Sequence, residues 1–341
     1  MIYRYRAYGL SCISDVSISG FYPQLISLQS ADSDIVLDLV SVAPEWVGAA
    51  RSLPAHTIYA EPTSIENVDS GYAVRVFGAE EAFELTYADG TQFLIDGPAC
   101  RVWGRCPPGF DIDFLATYFR GPVMGFILRR RGVTALHASA VNLDGRAIVL
   151  CGESQSGKST LAAALALKGT PVLCEDVTAV KVSGPGYGVE PGYAQVGLWP
   201  DAVEKLFGRV DALPRLTSSW EKCFLPLDGD RASFETEERP LGVVYLLARR
   251  TDSEDAPRIE QVSSRDALLG LVQNTYMNWL LDRKQRAAEF DFLSRLVTSV
   301  PVRRIVPHRD PARIAALCDL IVVDAQGLRN RHVSKSLVSN Y

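Results

Sequence analysis

The sequence predicts an α/β protein: a β-rich N-terminal (α+β) domain over residues 1–130, an α/β domain organised around a phosphate-binding loop over 131–326, and a polar tail at 327–341. Three observations carry this. The 341 residues are enough for two domains at roughly 100–200 residues each. The first ~125 residues read as short alternating runs broken by turn signals. From Gly132 onward, strand, glycine-rich loop, helix and strand follow one another at βαβ-like spacing.

Along the N-terminal region, Ala73-Val74-Arg75-Val76-Phe77 and Ala82-Phe83-Glu84-Leu85-Thr86-Tyr87 read as strands, and Asp89-Gly90 before Gln92-Phe93-Leu94-Ile95 reads as a type I′ hairpin. Asp96-Gly97-Pro98 and Cys106-Pro107-Pro108-Gly109 punctuate the chain. A helix is predicted over 112–130, with Gly121-Pro122 kinking or dividing it, as the link to the second domain. There, 133–143 reads as a strand, Asp144-Gly145 as a tight turn, and Ala147-Ile148-Val149-Leu150-Cys151 as a fully buried strand. A helix is predicted over 159–168, stopped by Gly169, followed by the short apolar run 171–174 and an extended 177–182. Val243-Val244-Tyr245-Leu246-Leu247 reads as a central strand. Helices are predicted over 265–281, after the caps Ser263 and Ser264, over 287–297 and over 311–320, with a frayed tail after Gln326.

Composition narrows the function. Hydrophobic residues at 47% and charged residues at 22% are those of an ordinary globular chain. The net charge is 35 − 40 = −5, which disfavours non-specific contact with phosphate backbones or anionic lipid, so neither nucleic acid nor membrane is an expected partner. No uncharged apolar run is long enough to span a bilayer, and Met1-Ile2-Tyr3-Arg4-Tyr5-Arg6 lacks the apolar core and cleavage site of a signal peptide, so a cytoplasmic location is expected. Seven scattered cysteines, an odd number set among apolar neighbours, read as reduced core thiols. A monomer and an oligomer are both compatible with the sequence.

The informative segment is Gly152-Glu153-Ser154-Gln155-Ser156-Gly157-Lys158-Ser159-Thr160, which satisfies G-x-x-x-x-G-K-[ST] between a buried strand and a helix. Glycines let successive N–H groups face anionic oxygens, and the following helix adds its positive end. Lys158 supplies charge for the β/γ-phosphates of a nucleotide, and the Ser159 hydroxyl is a Mg²⁺ ligand. Glu175-Asp176, directly after the next apolar run, reads as a catalytic carboxylate pair, with Asp176 as metal partner and Glu175 as base, against a solvated acidic turn. His137, on the strand before the loop, reads either as a phosphate-side residue or as a hydrogen-bonded core histidine. Lys222 reads as a second phosphate contact or a solvated surface lysine, and the aromatic stretch 276–279 as helix core.

Taken together, Leu136-His137-Ala138-Ser139-Ala140-Val141, the 152–159 loop and Glu175-Asp176-Val177-Thr178-Ala179-Val180 resemble the HPr kinase/phosphorylase family. The closer likeness is to its stand-alone relatives in lasso-peptide and other peptide-modification gene clusters, and it covers about residues 133–182. The resemblance implies a P-loop kinase domain of the HPr kinase / phosphoenolpyruvate carboxykinase type, with ATP on the loop, magnesium held by Ser159 and a carboxylate, and phosphoryl transfer to a serine hydroxyl. It also implies a place for His137 near the phosphates. Two positions depart from the family pattern: glutamate at 175 where aspartate is usual, and Gln155 where a small residue is common. The family's C-terminal segment for protein capture is not recognisable, so a peptide or small protein with an acceptor serine, such as a lasso-peptide precursor, is the expected partner. Two other expectations stay open: a nucleotide-dependent regulatory module that transfers nothing, and a small-molecule or carboxykinase-like kinase.

Overall fold

A computed structural model describes residues 1–21, 33–39, 42–60 and 71–338, with side chains to residue 330. The fold is mixed α/β with several sheets, and the chain divides into two compact units: Met1–Gly132 with Leu216–Trp220, and Val133–Arg215 with Glu221–Tyr341.

The first unit is built on β1 (Tyr3–Ala7), β2 (Leu10–Ser14), β3 (Ile35–Asp38), β4 (Ala55–Ala60), β5 (Tyr72–Phe77), β6 (Ala82–Tyr87), β7 (Gln92–Asp96) and β8 (Arg101–Arg105), with α1 (Glu45–Arg51) between β3 and β4. They form one sheet in the order β1-β2-β3-β8-β7-β6-β5-β4. Val47 and Ala50 of α1 pack on Phe77, Ala82, Leu94 and Trp103 of one sheet face. The Asp89-Gly90 hairpin joins β6 to β7, but only Gly90 has a positive φ, +92. Asp89 instead accepts from Thr91 N–H at 2.7 Å, an Asx turn that replaces the predicted type I′ geometry. The predicted helix at 112–130 is divided: α2 (Ile112–Tyr118), a π-helical turn over Phe119–Val123 and α3 (Met124–Arg130). Pro122 has no N–H to donate, and the wider turn absorbs the missing bond.

The second unit begins with β9 (Thr134–Leu143) and β10 (Arg146–Cys151), joined at Asp144-Gly145 with φ +51 and +81, the two-residue turn that takes positive φ at both positions. Then come α4 (Lys158–Leu167), β11 (Val172–Cys174), β12 (Val177–Ser183), β13 (Gly186–Val189), β14 (Gln195–Leu198), α5 (Pro200–Phe207), β15 (Cys223–Pro226) and β16 (Arg239–Leu247). The unit closes with β17 (Arg258–Gln261), α6 (Ser264–Gln273), α7 (Arg283–Ser299), β18 (Val302–Val306) and α8 (Ile314–Val338). The main sheet runs β10-β9-β12-β13-β16-β18-β17, with β10 also paired to β16. Strands β10 and β16 are parallel, as are β16 and β18, so all three end at one edge. Helix α4 is apolar nearly all round and packs Leu161, Leu165 and Ala162 among Ile148, Leu150, Val196 and Val243.

Four expectations change here. β10, α4 and β11 do not make a βαβ unit of neighbouring strands, because β9, antiparallel to both, lies between them. The tight turn at 144–145 places β9 beside β10 before the chain reaches β11. The helix predicted to Leu281 ends at Gln273. There the backbone turns to meet β9: His137 N–H donates to Asn274 O at 2.8 Å and Tyr276 N–H to Ala135 O at 2.8 Å. Residues 276–279 are therefore outside the helix, and half-buried except for Asn278. α8 continues past Gln326 to Val338, where the sequence suggested a frayed tail. Among the described residues no helix is long and apolar enough to cross a membrane, and all seven cysteines are free thiols.

Candidate active site

The carboxyl ends of parallel strands are where an α/β sheet binds ligands. Here β10 leads into residues 152–157, β16 into Ala248, Arg249 and Arg250, and β18 into Pro307, His308 and Arg309. Together with α6 they enclose a cleft of about 860 Å³, lined by Gly152 to Ser156, Leu246 to Arg250, Asp266, Leu269 and Gly270, Gln273 and Asn274, Arg304 and Arg309.

The loop's conformation follows from its residue types. Gly157 stands at φ +103 as the residue before α4, a backbone state open mainly to glycine. Gly152 is buried; a Cβ there would meet the Ser156 hydroxyl at 3.0 Å and Leu247 at 3.2 Å. Gln155 takes a positive φ of +61 and is exposed at the cleft wall with Glu153 and Ser154. Ser156 N–H donates to Glu153 O at 3.2 Å, while the buried Ser156 hydroxyl has no hydrogen-bond partner among the described residues. Thr160 lies half-buried in the first turn of α4.

Lys158 is 5% exposed, and its ammonium donates to Gly152 O at 2.8 Å and Glu153 O at 2.9 Å, closing the loop on itself. Burial pulls its pKa below the ordinary lysine value, and the charges of Asp176 and Glu175 oppose that shift. The next residue, Ser159, donates its hydroxyl to Glu175 Oε1 at 2.6 Å. The Tyr193 hydroxyl donates to Glu175 Oε2 at 3.1 Å. Glu175, 4% exposed, thus has both oxygens occupied by hydroxyl donors.

Asp176 faces a different set of partners. It stands at φ +66 at the apex of a three-residue turn closed by Val177 N–H to Glu175 O at 2.8 Å, and Asp176 O accepts from Ala138 N–H. This turn splays two carboxylates that are adjacent in sequence. Asp176 Oδ1 lies 3.3 Å from His137 Nε2, and both side chains are about a third exposed (31% for His137, 32% for Asp176). Burial favours the neutral acid, but the His137 hydrogen bond and the charges of His137, Lys222 and Lys158 outweigh it and hold the Asp176 pKa below the ordinary carboxylate range. Tyr276 sets its ring edge-on to His137 at 6.1 Å. Lys222 crosses Gly197, where a Cβ would stand 3.1 Å from its ammonium and 3.7 Å from Glu175 Oε2, and it lies 5.9 Å from the centre of the exposed Trp199 ring.

The structure therefore brings His137, Lys158, Ser159, Glu175, Asp176 and Lys222 together in the second unit. The sequence reading did not find Tyr193, Gly197, Trp199 or the cleft arginines Arg249, Arg250, Arg304 and Arg309. For the pair 249–250 a signal was present, since it directly follows a central apolar strand. The others are contributed by β14, its flanks and β18, which no local pattern links to the loop.

The structure is similar to that of the Hpr(Ser) kinase/phosphatase from Coxiella burnetii, at 16% identity and a TM-score of 0.32 over 60% of this chain and 97% of that one. No protein-family model and no curated protein matches the chain. A likeness at that TM-score assigns no activity, so the functional reading rests on the geometry of residues 137–222 and the cleft.

Proposed function

We propose that the second unit is an ATP- and Mg²⁺-dependent phosphotransferase that acts on a serine hydroxyl of a peptide or small protein. The observation that carries the reading is the Ser159–Glu175 hydrogen bond of 2.6 Å at the first turn of a helix, beside a buried lysine and an open cleft. A hydroxyl and a carboxylate are the hard oxygen donors suited to Mg²⁺, an ion usually held by one or two protein oxygens plus substrate phosphates rather than by an all-protein cage. Ser159 and Glu175 would hold the ion, which when bound supplies charge neutralisation on the phosphates.

The chain's own groups divide the remaining work. The 152–157 backbone and the positive end of α4 bind and orient the phosphates. Lys158 exchanges the Gly152 and Glu153 carbonyls for phosphate oxygens and balances their charge. Asp176, ionised, reachable and steadied by His137, accepts the proton of the attacking hydroxyl. As the new bond forms between the acceptor oxygen and the γ-phosphorus, the bridging P–O bond breaks and its electron pair leaves with ADP. This exchanges the roles that the sequence suggested for the two carboxylates: Glu175, enclosed by Ser159 and Tyr193, serves the metal, and Asp176 serves as base.

The serine acceptor is supported by the motif resemblance alone, so it is tested directly. Incubation with ATP, Mg²⁺ and serine-containing peptides followed by intact-mass spectrometry is expected to show a gain of one phosphate that disappears with Lys158→Ala. ATP binding without transfer to any peptide would favour a regulatory module, and ATP consumption with free serine or oxaloacetate a small-molecule kinase.

A further inference from the structure

We propose that Arg250 is a catalytic residue of this site, its guanidinium meeting the terminal phosphates of the nucleoside triphosphate. The inference rests on the nucleotide reading above. Arg250 follows β16 on a short segment fixed at both ends: Ala248 N–H donates to Ile305 O at 2.8 Å, Thr251 N–H to Pro307 O at 3.0 Å, and Arg309 N–H to Thr251 O at 2.9 Å. This places Arg250 Nη2 2.7 Å from the position that a Cβ on Gly157 would occupy, next to the first turn of α4 and one residue from Lys158.

A cation belongs at the other end of a helix, since the N-terminus already carries about half a positive charge. Arg250 makes no ion pair or side-chain hydrogen bond among the described residues. At longer range it helps hold Asp201 ionised, but that carboxylate is bonded to Lys205 at 2.8 Å. Arg249 and Arg304, on the same cleft wall, also lack a side-chain partner among the described residues, whereas Arg309 pairs with Asp252 at 3.3 Å. An arginine, a lysine and a helix N-terminus converge here, while the carboxylates of Glu175 and Asp176 are engaged by Ser159, Tyr193 and His137 and not by Arg250, an arrangement suited to a multiply charged anion. Lys158 marks the β/γ end of the phosphate chain, and Arg250 stands at that end. During transfer its guanidinium neutralises charge as the β–γ bridging bond breaks and its electron pair passes to ADP, while the acceptor oxygen bonds the γ-phosphorus and Asp176 takes the proton.

The test is equilibrium binding of Mg·ATP and Mg·ADP to the full chain by calorimetry, for wild type, Arg250→Ala, Arg250→Lys and, away from the site, Arg209→Ala. Arg250→Ala is expected to weaken ATP roughly 10- to 100-fold and ADP far less, with an unliganded Tm equal to wild type; Arg250→Lys should recover part of the ATP loss. Arg209→Ala should match wild type. Equal losses for ATP and ADP in both Arg250 variants, or an unchanged ATP affinity, would overturn the proposal in favour of a brace for Gly157. If the wild type binds neither nucleotide, the nucleotide reading itself fails, an outcome separable from failure of the arginine's role.

Discussion

The Ser159 hydroxyl donates to Glu175 Oε1 at 2.6 Å, while the neighbouring Asp176 turns away to meet His137 Nε2 at 3.3 Å. One strained residue, Asp176 at φ +66, separates the two environments, and backbone strain of this kind is commonly retained where it aims a functional group. The division predicts different failures for the two acids. Asp176→Asn should lower transfer by about 10²- to 10⁴-fold with ATP affinity nearly intact. Glu175→Gln should instead weaken the Mg²⁺-dependent part of ATP binding. Titrating both variants with ATP in the presence and absence of Mg²⁺, alongside a transfer assay, checks this; the opposite pattern would return the base to Glu175.

Gly157→Ala is expected to abolish nucleotide binding and to destabilise the unit. A left-handed backbone costs a residue with a Cβ about 1–2 kcal/mol, and the added methyl would also displace Arg250, 2.7 Å away. Chemical denaturation with and without ATP measures both parts.

Tyr193→Phe removes the second donor to a carboxylate that is 4% exposed. A hydrogen bond to a charged group is worth about 1.5–3 kcal/mol, so urea unfolding should show a loss of that size. Because Ser159 still donates to Glu175, some transfer activity should survive.

Acid should expose the ionised state of Asp176. Its pKa is lowered in the folded chain, so it contributes stability at neutral pH that is lost as the pH falls through that lowered value, below the ordinary aspartate pKa of about 4. Thermal unfolding of wild type and Asp176→Asn between pH 7 and pH 3 should therefore converge in acid. A constant difference across that range would remove the charge from the account.

Cys151 lies directly before the loop, fully buried, and desolvation pushes its thiol pKa up to about 12. It should stay protonated and unreactive toward iodoacetamide in the folded chain at pH 8, with alkylation appearing only on unfolding. Peptide mapping by mass spectrometry distinguishes the two.

What the sequence by itself determined is local. The loop pattern 152–160, the glycines it needs at 152 and 157, the apolar β10 and α4 around it, and the Asp144-Gly145 turn are all set by periodicity and by backbone states that few residues tolerate. The tertiary structure decided what is non-local. It placed β9 between β10 and β11, ended α6 at Gln273 so that Asn274 and Tyr276 could bond β9, and set β10, β16 and β18 to finish at one edge. That convergence brings Arg250 from β16 to Gly157, and the β14–β15 region brings Tyr193, Gly197 and Lys222 to Glu175 and Asp176. Residues up to about ninety positions apart meet there because strand pairing and burial of the apolar faces fix them, and neither leaves a periodic trace in the sequence around each residue. Even the surroundings of two adjacent acids depended on it, since the turn at Asp176 sets one carboxylate against Ser159 and the other against His137.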